Sequence, residues 1–106
     1  MDRTIFDNVS PLDFRYYGQD EKLQQALDPF VTERGRVRSE AMVEAAATRV
    51  LSRRGICSTA VADEVAAAAA QVTPEEVAAE EARIQHNTRA LVNSIQARVS
   101  DAARPY

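Results

Sequence analysis

The sequence predicts an all-α fold of four to five helices with an irregular N-terminal arm. Three observations support this class. Apolar residues recur at helical spacings through residues 73–106. Residues 58–71 are rich in alanine, the strongest helix former. Residues 30–54 read as one long helix that ends at Arg53-Arg54-Gly55, with bases in the last turn and glycine beyond it. The 106 residues suffice for a single domain, with residues 1–19 as the arm and residues 20–106 as the helical part.

Composition excludes several classes of protein. The formal net charge is −3 with acids and bases interspersed, so the basic stripe of a nucleic-acid-binding protein is absent. No run approaches the ~18 apolar residues of a membrane helix, so no membrane partner is expected. Cys57 is the only cysteine, which rules out an intrachain disulfide and fits a reducing cytoplasm. No metal-binding motif is present.

The arm carries a turn at Ser10-Pro11 and then an Arg15-Tyr16 pair. One interpretation is an aromatic anchor that packs the arm onto the helices. The other is a phosphate grip, because a guanidinium and a phenolic hydroxyl can both donate to phosphate oxygens. The residues of the arm alone do not decide between them.

Two helices are predicted after the arm. The first covers residues 19–28 and ends at Asp28-Pro29, since a residue before proline is pushed out of the helical region. The second covers residues 30–54. Its predicted core-facing stripe consists of Val43, Ala46, Ala47, Val50 and Leu51.

The later helices begin with clear capping signals. Ser58 or Thr59 can cap the alanine-rich helix, which we expect to allow close approach of its neighbours. Thr73-Pro74-Glu75-Glu76 has a capping residue, a proline suited to the first helical position and the glutamate of a capping box.

One ambiguity concerns the chain around His86. Apolar residues continue at spacings of seven and four, which favours one helix from Pro74 onward. These residues are Val77, Ile84, Leu91, Ile95 and Val99. The capping chemistry of Asn87 favours a break near His86-Asn87, with Asn87 as a new N-cap.

His86 is the only histidine, and it points away from the apolar stripe among polar neighbours. The simpler interpretation is a surface histidine on a solvated face. The functional interpretation is proton transfer, for which imidazole is the best-suited side chain near neutral pH.

Two segments resemble a known family. HNTRALVNSIQARVSDAARPY, preceded by Glu80-Glu81, resembles the end of the N-terminal domain of the adenylosuccinate lyases, members of the fumarase/aspartase superfamily. The arm residues 10–16, SPLDFRY, resemble the start of the same domain. The chain departs from the family in having Gln85-His86-Asn87 where Arg-His-Asp is usual, and Phe14 where glycine is common.

The resemblance implies an enzyme of purine biosynthesis that eliminates fumarate from adenylosuccinate to give AMP, and that performs the analogous succinyl-carboxamide ribonucleotide step. It implies no cofactor or metal, and a homotetramer whose active sites draw on three subunits. It implies that His86 is catalytic, that Arg15 and Tyr16 bind the substrate phosphate, and that Gln85 and Asn87 also bind the substrate. A second histidine, a flexible-loop serine and the central helical domain would lie downstream, so we expect residues 1–106 alone to be inactive.

Two alternatives stay open at this point. One is another lyase or cycloisomerase of the same superfamily with a different carboxylate substrate. The other is a helical interaction module without catalytic activity.

Overall fold

A computed structural model describes residues 4–106, which form five α-helices and no β-strand. The all-α prediction is confirmed. The helices are α1 (Glu21–Val31), α2 (Glu33–Arg53), α3 (Thr59–Gln71), α4 (Pro74–Ile84) and α5 (Asn87–Gln96). The first three residues of the predicted arm lie outside the described residues. The rest of the arm is more regular than expected, because a 3-10 turn (Ile5–Asp7) and a π-helix (Asp13–Gly18) lie within it.

The helices are arranged around α2. Helix α3 packs along α2, α4 packs on α5, and both α4 and α5 reach α2. Among the described elements, helix α1 contacts only α2 and the π-helix. The radius of gyration is 16.8 Å, above the ~13 Å of a compact domain of this length. The molecule is elongated, with extents of 51 × 30 × 16 Å, and the described arm elements and α1 contact none of α3, α4 and α5.

The core lies between α2, α3, α4, α5 and the C-terminal tail. Leu91 of α5 is its largest buried apolar side chain. The remaining core residues are small or β-branched: Val37, Ala41, Val65, Ala68, Ala69, Val77, Ala90, Ile95, Val99 and Ala103. Helix α3 contributes mainly alanines, which let its backbone approach α2 closely, as expected from the sequence.

The predicted end of α1 is wrong. The helix runs through Pro29 to Val31 instead of ending at Asp28-Pro29. The carbonyl of Asp28 is satisfied by the Thr32 hydroxyl, which donates to it at 2.6 Å. Thr32 also caps α2, because its oxygen accepts the Gly35 N–H at 3.0 Å. The two helices are therefore joined by one residue that serves both ends.

The predicted core face of α2 is also wrong. Val43, Ala46, Ala47 and Val50 are exposed, and Leu51 is only half-buried. The buried face instead carries Val37, Ala41 and Thr48. Thr48 can be buried because its hydroxyl donates to the carbonyl of Glu44 within the same helix, at 3.1 Å. Helix α2 thus has apolar residues on two faces, and the face with the threonine is the one that packs.

The C-terminal tail, residues 97–106, packs against the core after the end of α5. Val99 and Ala103 are buried, although both follow the end of α5. The Ser100 hydroxyl donates to Glu64 of α3 at 2.9 Å. Arg98 forms an ion pair with Glu76 of α4 at 2.8 Å. The tail is therefore attached to both helices that it covers.

Gly35 allows the close contact between α1 and α2. A Cβ at this position would lie 2.6 Å from the Asp28 carbonyl oxygen and 2.7 Å from the Pro29 carbonyl carbon. Both are backbone atoms, so the helices would have to separate. We expect Gly35→Ala to lower the free energy of unfolding by about 1–3 kcal/mol, although alanine is the better helix former by ~1 kcal/mol.

Urea unfolding followed by circular dichroism measures this change. Ser39→Ala, at an exposed position of the same helix, is the matched control and should change stability little. A Gly35→Ala protein more stable than the parent would show that helix propensity outweighs the contact.

Candidate functional site

The helix predicted to run from Pro74 is broken at Gln85 and His86. Gln85 has φ 60°, the left-handed conformation, which few residues other than glycine adopt. Its N–H donates to the Glu81 carbonyl at 2.7 Å, and its side-chain amide donates to the Ala82 carbonyl at 3.0 Å. These bonds satisfy carbonyls at the end of α4. The expectation of one continuous helix is therefore wrong, and the alternative of a break near His86-Asn87 is confirmed.

His86, and not Asn87, is the N-cap of α5. Its backbone is extended, and Nδ1 accepts the Arg89 N–H at 3.0 Å. Asn87 is the first residue of α5, and its Oδ1 accepts the neighbouring Thr88 N–H at 2.8 Å. An accepting Nδ1 places the imidazole proton on Nε2. The exposed ring therefore presents Nε2–H as a hydrogen-bond donor at the α4–α5 corner.

Glu80 connects the two helices beside this corner. Its carboxylate pairs with Arg83 of α4 and accepts the Asn93 amide of α5 at 3.0 Å. The hydrogen bond to Arg83, and then the one to Asn93, lower the pKa of Glu80. The same partnership raises the pKa of Arg83. The sequence analysis missed this link, since the thirteen-residue separation carries no local signal.

Residue Thr73 starts α4 with the predicted capping box. Its hydroxyl accepts the Glu76 N–H at 3.2 Å, and Glu76 accepts the Thr73 N–H at 3.0 Å. Glu76 also binds Arg98, so one carboxylate serves both the helix start and the tail. Glu76 at the start of α4 and Glu80 near its end thus hold this helix to the tail and to α5, and the corner lies where α4 meets α5.

Arg15 and Tyr16 lie in the π-helix of the arm. The Arg15 guanidinium carbon lies 5.6 Å from the centre of the Phe14 ring, a cation–π distance. Arg15 forms no ion pair within residues 4–106, and Tyr16 is 71% exposed. The next tyrosine differs, because the Tyr17 hydroxyl donates to Asp13 and that bond raises the pKa of Tyr17. Arg15 and Tyr16 are therefore accessible to a ligand, whereas the Tyr17 hydroxyl is already hydrogen-bonded.

The structure does not bring the two motifs together within one chain. The π-helix contacts α1 and the 3-10 turn, and α1 reaches only α2 in the rest of the molecule. His86 lies at the α4–α5 corner, and among the described elements neither α4 nor α5 contacts α1, the 3-10 turn or the π-helix. Gln85 and Asn87 flank His86, but the bonds described above hold both side chains to nearby backbone. Among the described residues, Arg15 and His86 therefore lie in parts of the fold that do not contact each other.

An open groove of about 760 Å³ runs along α4, α5 and the tail without reaching His86. Three arginines line it, and each has an acidic partner: Arg83 pairs with Glu80, Arg98 with Glu76, and Arg104 with Asp101. Its charges are balanced, so it provides no free cation for an anionic ligand. Within residues 4–106, no three His, Cys, Asp or Glu side chains are grouped to hold a metal ion.

Cys57 is half-buried, and its thiol lies 3.7 Å from the Thr48 carbonyl oxygen. None of the helices described here has the length and apolar character needed to cross a bilayer. Comparison of the chain with models of protein families, with curated proteins and with solved structures found no match. A functional assignment therefore depends on the motif residues and on their geometry.

The cap formed by His86 can be tested separately from any catalytic role. His86→Ala removes the acceptor for the Arg89 N–H, and we expect the free energy of unfolding to fall by about 1 kcal/mol. His86→Asn supplies another capping acceptor and should retain the parent stability within ~0.5 kcal/mol. Urea titration of the two variants measures the difference. Equal stability of the alanine and asparagine variants would contradict the cap.

Proposed function

We propose that residues 1–106 form the N-terminal domain of an enzyme of the adenylosuccinate lyase type. The reaction is β-elimination of fumarate from a succinyl-amino nucleotide, with AMP as one product. The observation that carries the proposal is the fixed His86 imidazole. Its Nδ1 is held by the Arg89 N–H, and its Nε2–H is exposed at the helix corner. It lies within the segment that resembles the family.

The elimination needs one proton removed and one supplied. A base takes the proton from Cβ of the succinyl group, the C–N bond breaks, and its electron pair leaves with nitrogen. A proton then restores the amino group of the nucleotide. Because Nδ1 accepts the Arg89 N–H, loss of the Nε2 proton would leave an imidazolate, so His86 donates a hydrogen bond to the leaving nitrogen and the proton itself comes from water. The resemblance places the base on a flexible-loop serine downstream, so His86 does not have to serve as both acid and base.

Arg15 and Tyr16 are proposed to bind the substrate phosphate. The Arg15 guanidinium has no acidic partner among the described residues, and Tyr16 is exposed beside it. A phosphate oxygen could therefore accept bonds from both without displacing an existing ion pair. Gln85 and Asn87 would adjoin the substrate from either side of His86. Their uncharged side chains replace the charged contacts usual in the family.

The separation of the two motifs supports an assembly of several copies. Because neither the 3-10 turn nor the π-helix contacts α4 or α5, Arg15 of one copy is proposed to meet His86 of another. This agrees with the homotetramer and the shared active sites that the resemblance implies. A related superfamily enzyme with a substrate that lacks phosphate would have no need of Arg15 and Tyr16. Dependence of substrate binding on the phosphate therefore distinguishes an adenylosuccinate lyase from such a related enzyme.

Removal of the Arg15 guanidinium tests the phosphate assignment. In an active enzyme that includes residues 1–106, we expect Arg15→Ala to weaken binding of the phosphorylated substrate by roughly 10- to 100-fold. Inhibition by AMP measures the affinity directly. Lys22→Ala removes an exposed cation of α1 and is the matched control. Unchanged AMP inhibition in Arg15→Ala would refute the assignment.

The asparagine variant of His86 isolates the imidazole. His86→Asn retains a capping side chain but loses Nε2–H, so we expect kcat to fall by about 10²- to 10⁴-fold with the fold preserved. Fumarate absorbance follows the reaction, and circular dichroism confirms the helix content. A variant with near-normal kcat would leave His86 a structural cap only.

A further inference from the structure

A side-chain hydrogen bond closes the π-helix of the arm. Tyr17 lies four residues after Asp13, and its hydroxyl donates to the Asp13 carboxylate. Arg15 and Tyr16 lie between these two residues in the chain, so the bond spans the phosphate-binding pair. We call this bond the Asp13–Tyr17 clamp. Short π-helices are rare and are frequent at functional sites.

Tyr17 is turned toward α1, whereas Arg15 and Tyr16 are turned away from it. The Tyr17 ring is half-buried and lines an open groove of about 510 Å³ between the arm and α1. Gln24 of α1 and Thr32 at the α1–α2 junction line the same groove, and neither Arg15 nor Tyr16 does. The clamp therefore fixes the ring on the α1 side and leaves the other two side chains exposed to solvent.

The end of the π-helix is anchored to the elements on both sides of it. Asp20, the N-cap of α1, donates its N–H to the Tyr17 carbonyl at 3.1 Å. Gly18 lies against the 3-10 turn, because a Cβ there would be 2.6 Å from Ile5 Cδ1 and 3.1 Å from the Asp13 carbonyl oxygen. Tyr17 is thus held in place by the backbone, and the clamp transmits that order back to Asp13.

Order in this turn matters for binding because little else holds the arm. Among the described elements, the 3-10 turn and the π-helix contact only each other and α1, and α1 contains no buried residue. A ligand that must order the side chains it binds loses affinity. A bond that fixes the turn before the ligand arrives reduces this loss.

We propose that the Asp13–Tyr17 clamp positions Arg15 and Tyr16 for the substrate phosphate, with Asp13 and Tyr17 as positioning residues that do not touch the ligand. This inference rests on the proposed phosphate role of Arg15 and Tyr16. It extends that role to two residues for which the resemblance implies none. The adjacent tyrosines then have different tasks, since Tyr16 donates to phosphate and Tyr17 holds the turn.

Inhibition by AMP of an active enzyme that includes residues 1–106 tests the positioning role. Tyr17→Phe removes the donor of the clamp and Asp13→Ala removes its acceptor, so we expect each to weaken AMP inhibition about 3- to 10-fold. Both variants should keep kcat within about twofold of the parent, because neither residue acts on the bond that breaks. Circular dichroism should show unchanged helix content.

The conservative variant Asp13→Asn is the matched control. Its amide oxygen can still accept the Tyr17 hydroxyl, so AMP inhibition should stay close to that of the parent. The double variant, Asp13→Ala with Tyr17→Phe, should bind AMP no more weakly than either single variant, since the second change finds the bond already broken.

The clamp also has a spectroscopic signature in the 106-residue chain. The hydrogen bond to Asp13 raises the pKa of Tyr17 above its usual value of about 10. The clamp is therefore intact at neutral pH and is lost as pH rises through this raised pKa, because a tyrosinate has no proton to donate. Ultraviolet titration of tyrosinate should show a late component that Tyr17→Phe removes and Asp13→Ala returns to the usual range. Glu21, which lines the same groove, is retained in both variants and cannot account for the change.

Four results would overturn the inference. If Arg15→Ala weakens AMP inhibition and Tyr17→Phe does not, the clamp has no positioning role and the phosphate assignment stands. If Tyr17→Phe lowers kcat and leaves AMP inhibition unchanged, Tyr17 acts in another step. An Asp13→Asn enzyme as weak as Asp13→Ala would show that the carboxylate charge matters and the bond does not. Unchanged AMP inhibition in Arg15→Ala would remove the phosphate assignment and this inference with it.

Discussion

The return of α5 onto the core depends on the corner at Gln85 and His86. A continuous helix from Pro74 to Val99 would be about 39 Å long and would carry Leu91 and Ile95 away from α3. The left-handed conformation of Gln85 reverses the chain within two residues, so both side chains come back to Val77 and the alanines of α3. Strain at a non-glycine left-handed residue is offset by the core that it closes.

Sequence reasoning succeeded where the signal was local. The capping residues at Ser58 and Thr73 act as predicted, because a cap needs only a side-chain oxygen and a backbone N–H three residues further along. It failed on the face of α2, because the helix has apolar residues on two sides and a buried threonine on the one that packs. It left the corner undecided, because the seven-residue spacing from Ile84 to Leu91 is also compatible with a break. Leu91 and Ile95 are buried with Val77, as their spacing suggests, but the chain brings them together by turning at Gln85 and not along one helix.

The candidate site shows the same division. The exposure of His86 agrees with its polar neighbours in the sequence. The capping bond of His86 could not be foreseen, because histidine is not among the usual N-cap residues and asparagine follows it. The distance between the arm and the corner depends on which helices touch, and no short-range pattern contains that information. The ion pair between Arg34 and Glu75, forty-one positions apart, was likewise beyond local reasoning.

Helix α1 contains no buried residue, and its main contact outside the arm is with α2. Stability in proteins is local, and segments with little buried apolar surface open at low free-energy cost without unfolding the rest. The arm and α1 therefore form the segment that should exchange its amide hydrogens first, while α3 and α5 remain protected. Arg15 and Tyr16 lie in this weakly held segment. A ligand that fixes Arg15 and Tyr16 must also order this segment, so its observed affinity is lower than its intrinsic affinity.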